Sequence, residues 1–160
     1  MCNFLSALVL RNGDVLHHSM LDSHADLVTY FKLPDTMAHH RHFAKIELTP
    51  VDWLDTSTWV FKLDERTVPS WWDDVAVSAE STIRAIASRM IIRADTTLIV
   101  DGCWIVGGTT SVKDVRAGRI VRGYDSARVS NVWGSARVSN VGGSAQVSNV
   151  WGSAQVSDVG

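Results

Sequence analysis

An apolar run from Phe4 to Leu10 and a second segment from Val15 to Met20 flank the dipeptide Asn12-Gly13. Asn-Gly readily takes the positive φ angles of a tight primed turn, so the pattern predicts a β-hairpin. Asp22 or Ser23 caps the next segment, Asp26 falls in its first turn, and Leu27, Val28 and Phe31 share one helical face before Leu33-Pro34 ends it. From Phe43 to Leu48 the period is two: Phe43, Lys45 and Glu47 alternate with Ala44, Ile46 and Leu48 in a strand closed by Pro50. Trp59 to Leu63 predicts another strand after the turn-rich Asp52 to Ser57. With Ser70 as cap, Trp72, Ala76, Ala79, Ile83, Ile86 and Met90 keep steps of three and four, and Glu80 and Arg84 form an i,i+4 pair. This is the pattern of a long amphipathic helix. The elements add up to an α+β head domain, ββαββα, over residues 1–97, with both helices expected on one face of a four-stranded sheet.

The period then changes from two and 3.6 to nine. Residues 126–160 are near-copies of one nonapeptide: SARVSNVWG, SARVSNVGG, SAQVSNVWG and SAQVSDVG. Its phase runs back through 117–125, where Arg119-Ile120 replaces Arg-Val, and more loosely to Ser111-Val112-Lys113-Asp114-Val115. Ala127 and Val129 share one face of an extended segment, while Ser130, Asn131 and Gly134 are turn formers that let the chain wrap. Two nonapeptides make one coil of 18 residues, so residues 98–160 are expected to form a parallel β-solenoid with coils about 4.8 Å apart. Trp133 should then lie over Trp151, Asn131 over Asn149, and Asn140 over Asp158. The last coil carries no polar cap, so Val156, Asp158, Val159 and Gly160 are the expected self-association residues, pairing two copies end to end as a homodimer.

Composition narrows the function classes. Over 160 residues and 17.6 kDa the formal net charge is -2, from 15 basic and 17 acidic residues, so there is no sign-biased field to draw nucleic acid. Neither CNFLSALVL nor LIVDGCWIV is long enough to span a membrane, the second being broken by Asp101-Gly102. Two cysteines, Cys2 and Cys103, make no disulfide framework; a soluble protein of the reducing cytoplasm is the expectation.

Candidate chemistry is sparse. Loss of Met1 would expose Cys2 with both thiol and α-amine, the arrangement of amino-terminal nucleophile hydrolases; the other reading is a buried edge-strand residue. All six histidines, His17, His18, His24, His39, His40 and His42, lie in the first third. His39, His40 and His42 are the candidates for a zinc site with a carboxylate, against a solvated loop, since they lack HExxH spacing and a nearby cysteine. His24 falls in the first helical turn, where capping and surface roles are usual. Trp53, Trp59, Trp71, Trp72 and Trp104 either form an aromatic pocket or serve as core. Asp64, Glu65, Asp73 and Asp74 read as charges near a helix start. The repeat turns carry Ser and Asn, with only Asp158 acidic, so calcium coordination is not expected, and no cofactor is implied.

MCNFLSA, DSHADL, FAKIELTP, WVFKLDE with VPSWWDD, LIVDGCWIV and the nonapeptide tail together resemble, along nearly the whole chain, a group of small proteins encoded by bacteriophages and prophages. The resemblance implies a phage origin and a modular tail, and carries over no catalytic residue. The expected function is that of a non-enzymatic accessory protein of the host cytoplasm, acting by self-assembly and by binding a host or phage protein, for example to block a host defence or regulatory complex. Two alternatives stand beside it: a Cys2 hydrolase or amidase that uses the solenoid as a dimeriser, and a small-ligand or nucleotide-sequestering protein that uses the tryptophan-rich head.

Overall fold

The computed structural model describes residues 4–34, 36 and 38–160. The chain divides into two compact units, Met1–Ser88 and Arg89–Gly160. In the first, β1 (Leu5–Leu10), β2 (Val15–Leu16), β3 (Phe43–Thr49) and β4 (Val60–Leu63) form an antiparallel sheet in the order β2-β1-β3-β4. The hairpin turn is longer than a two-residue primed turn. Gly13 has φ 91° while Asn12 does not enter the positive region, and the Gly13 N–H donates to Leu10 O at 2.9 Å to close a four-residue turn. Asn12 instead turns its side chain to Asp14 at 2.7 Å.

Helix α1 (His24–Tyr30) starts where Ser23 Oγ accepts from the Asp26 N–H at 3.2 Å, the capping bond its sequence anticipates. Leu27 and Val28 pack with Leu8 and Phe43. Helix α2 (Trp72–Arg89) buries Trp72, Val75, Ala79, Ile83 and Ala87, so Ala76 and Ile86 flank the apolar stripe instead of forming it. Trp72 stacks on Phe61, the register partner of Leu48, which is in turn the partner of Leu5. Adjacent strand residues point to opposite faces, so α2 covers the face of Leu5 and Leu48 while α1 covers the face of Leu8 and Phe43. The two helices therefore lie on opposite faces of the sheet, contrary to the single-face expectation.

The second unit is a parallel β-solenoid. Each coil gives one strand to each of two sheets. One contains β6 (Thr96–Ile99), β8 (Ser111–Val115), β10 (Arg128–Val132) and β12 (Gln146–Val150); the other contains β5 (Ile91–Ile92), β7 (Cys103–Val106), β9 (Arg119–Gly123), β11 (Arg137–Val138) and β13 (Gln155–Val156). Its sheets begin at Ile91, ahead of the residue 98 read from the repeat. Ile91-Ile92 is a bare apolar pair with no nonapeptide around it.

Coil length grows along the chain. Ile91 pairs with Ile105, 14 residues on; Ile99 with Val115, 16 on; Val115 with Val132, 17 on; and Val132 with Val150, 18 on. The 18-residue coil thus holds where the nonapeptide is strict and shortens where it degenerates. The interior is apolar: Val112, Val115, Val129 and Val132 from one sheet meet Ile120, Val138 and Val106 from the other, with Ala127 and Ala136 packed among them. These residues repeat because each coil offers its neighbour the same hole.

Candidate functional site

The tryptophan and asparagine stackings expected at an 18-residue step are seen. Trp133 and Trp151 stack at 5.5 Å between ring centroids, 16° from parallel. Asn149 Nδ2 donates to Asn131 Oδ1 at 3.1 Å, and Asn131 Nδ2 donates to Asp114 Oδ1 at 3.0 Å, so the amide ladder reaches one coil further back than the asparagines themselves. Asn140 and Asp158 both stand at left-handed backbone positions, φ 50° and 53°.

At the last coil the environment changes while the residues do not. Val132 is fully buried and its register partner Val150 is 45% exposed; Val141 is 3% exposed and its bridge partner Val159 is 70% exposed. Val141, Val147, Val150, Val156 and Val159 line a cavity of about 440 Å³, the mouth of the solenoid core. Asp158 O accepts from the Val141 N–H at 3.0 Å and Gly160 N–H donates to Val141 O at 2.9 Å, so these residues are already held by the preceding coil. One edge remains. Ala127 O and Val132 O accept from Gln146 and Trp151 of the next coil, and by the same register the carbonyls of Ala145 and Val150 face outward along the stacking axis. Val156 and Val159 lie at this mouth together with Val147 and Val150 from the other half of the coil. Their spacing was the available signal: Val150 stands 18 residues after Val132.

The other sequence candidates are dispersed. Cys2 lies outside the described residues, and Cys103 is a buried thiol at the start of β7. His39 is held by Glu65, both carboxylate oxygens lying 3.0 Å from Nε2, and by Thr36 O at 3.1 Å from Nδ1. His40 O accepts from Trp71 Nε1 at 3.1 Å, and His42 O from the Arg11 N–H at 3.2 Å. The His39 and His40 rings lie 6.2 Å apart and border one cleft, but the three histidines form no ligand group among the described residues. Of the tryptophans, Trp59, Trp71 and Trp72 are buried in the first unit, Trp53 packs edge-on to Trp59, and Trp104 belongs to the solenoid with Nε1 donating to Asp101 O at 2.6 Å. They form no common pocket. Among the described residues no helix is long and apolar enough to cross a membrane.

One head-domain histidine makes a direct prediction. His17 is half-buried with Nδ1 3.4 Å from Ser6 O, and burial holds its pKa below the ordinary 6.5, with His18 adding repulsion and the Ser6 carbonyl opposing. Because the folded pKa is depressed, the unfolded chain takes the proton first. Stability from this group is present above pH 6.5 and declines as pH falls through 6.5 toward the folded value. Urea unfolding across that range should show a shallower acid loss for His17→Gln than for the parent protein; identical slopes would refute the assignment.

No protein-family model, curated protein or solved structure matches this chain.

Proposed function

We propose that this chain is an assembly protein: two copies join through the mouth of their last solenoid coils, and the joined solenoids carry two heads. The observation that carries the reading is the contrast between identical residues in identical registers, Val132 against Val150 and Val141 against Val159, where the first of each pair is buried and the second is exposed. A second copy of the same coil is the occupant that the chemistry favours. It offers valines to fill the mouth, unpaired strand edge for the outward carbonyls, and no charge inside the cavity. Trp151 gains cover for the ring face that Trp133 does not occupy.

The role is non-enzymatic, and its setting is that of a phage-encoded accessory protein in the host cytoplasm. Support comes from the resemblance of the sequence motifs to phage and prophage proteins and from the near-neutral charge. Paired heads would engage a host or phage protein bivalently, which raises avidity without new contacts and suits interference with a host defence or regulatory complex. Sedimentation over a range of concentrations tests the core of this reading. A monomer–dimer equilibrium accompanied by a change in tryptophan fluorescence is expected, and a protein that stays monomeric at the highest attainable concentration would sink it.

A further inference from the structure

The head carries a second feature that the assembly reading leaves unused. Lys45, Glu47, Lys62 and Asp64 all lie on the α1 side of the sheet: Glu47 pairs with Lys62, and the Asp64 N–H donates to Lys45 O at 2.8 Å. His24, the first residue of α1, comes down onto the same place. Its Nε2 lies 3.0 Å from Ile46 O. A carbonyl only accepts, so Nε2 carries the hydrogen and Nδ1 is the nitrogen turned to the carboxylates.

Nδ1 of His24 and Oδ2 of Asp64 are 3.6 Å apart, beyond a good hydrogen bond. Asp64 divides its oxygens, since Oδ1 takes Lys62 Nζ at 3.0 Å and leaves Oδ2 to the histidine. Glu47 is 6% exposed and stands opposite Lys62 in the strand register, close enough for the ammonium to act on it electrostatically. One ligand atom from each of His24, Glu47 and Asp64 lies within 4.8 Å of the other two. Around a tetrahedral zinc ion with ligands at 2.0–2.2 Å, neighbouring ligand atoms stand roughly 3.3–3.6 Å apart. The His24–Asp64 separation already matches, and a small rotamer adjustment of Glu47 closes the set.

We propose that His24 Nδ1, Glu47 and Asp64 bind a divalent transition ion, zinc in the first instance, between α1 and the sheet. One nitrogen and two carboxylates suit a borderline divalent ion, whose charge adds to that of Lys62 beside the buried Glu47. The Ile46 carbonyl on Nε2 and the Lys62 ammonium on Asp64 Oδ1 are the outer partners that orient two of the three ligands. His24 and Asp64 also line a cleft of about 620 Å³ bordered by Lys45, Lys62 and Arg66 and, further along, by His39, His40 and Glu65, so the fourth position opens to solvent and takes a water molecule. The site is independent of the solenoid mouth and stands whether or not the chain dimerises.

The test uses the full chain, stripped with EDTA and titrated with zinc chloride by calorimetry, with cobalt(II) absorption as a report of low-coordinate geometry. One ion per chain is expected. Glu47→Gln and Asp64→Asn should each weaken binding by roughly a hundredfold and abolish the cobalt bands, while the double variant His40→Ala/His42→Ala binds as the parent does. Circular dichroism identifies a Glu47→Gln chain that fails to fold, and the half-exposed Asp64→Asn then carries the test. Absence of saturable binding near one equivalent, parent-like affinity in Asp64→Asn, or loss of binding in the His40/His42 variant would each overturn the proposal.

Discussion

Aspartate at both Val150 and Val159 should turn the protein into a folded monomer. Each valine is already substantially exposed within its own chain, so a carboxylate there costs the isolated protein little. In the assembled state the same positions are covered. Completing the burial of two valines per copy is worth about 3 kcal/mol or more across a symmetric pair, which corresponds to over a hundredfold in dissociation constant. Symmetry also brings like charges toward each other, adding repulsion to the lost burial. Sedimentation of the double variant beside the parent provides the readout. Val132→Asp supplies the contrast, because that site is fully buried and the substitution should unfold the solenoid itself. Removing residues 144–160 gives a third arm: the new end presents Val132 and Val141 in the same registers, so association should survive a deletion while failing after two point changes. Parent-like association of the Val150→Asp/Val159→Asp chain would show that another surface joins the copies.

The contrast between those two outcomes follows from why this part of the fold was legible at all. A residue in a stacked coil sees only its own coil and the two neighbours, so identical residues at an 18-residue step meet similar surroundings, and Trp133 and Asn131 could be placed over their partners from spacing alone. The logic weakens with the motif. Lys113-Asp114-Val115 keeps the valine and a ladder acceptor, but it pairs with Asn131-Val132 at a 17-residue step that the 18-residue phase misses by one; Ile91-Ile92 keeps only apolar bulk, and the 14-residue first coil left no trace in the repeat.

In the head, elements were legible and their sides were not. Trp72, Ala79 and Ile83 mark α2, and Ser23 marks the start of α1, but an amphipathic helix states only that it needs a surface, not which one. The sign of two covered faces was present in β1, where Leu5 to Leu10 shows no alternation, and all but its last residue is buried. Strands with apolar residues on both sides are strands covered on both sides. The ligand set of His24, Glu47 and Asp64 was hidden for a related reason: the three come from α1, β3 and the segment after β4, and only the strand register brings them together. His39, His40 and His42 looked like the better cluster because they are neighbours in sequence, yet their ring and main-chain bonds go to Glu65, Trp71 and Arg11.

Gly118→Val should cut the solenoid near its beginning. A Cβ at Gly118 would stand 2.8 Å from both Asp101 C and Gly102 O, atoms of the neighbouring coil's backbone that no side-chain rotation can move. Gly118 also has φ 87°, a region that a β-branched residue resists. The Arg119 N–H to Gly102 O bond at 2.8 Å, which joins the same two coils, would have to lengthen as they separate. The combined cost is about 4 kcal/mol or more, at the far end of single-substitution effects. Gly108→Val separates the two causes, since Gly108 has φ 64° but open space where its Cβ would go, and should cost only the conformational part, about 1–2 kcal/mol. Because each coil is stabilised by its nearest neighbours, the damage should be local: hydrogen exchange is expected to accelerate in β7 and β9 while β10 and β12 keep their protection. Equal stabilities for the Gly118 and Gly108 variants, or exchange rising uniformly through the array, would mean that the coils do not unfold as separable layers.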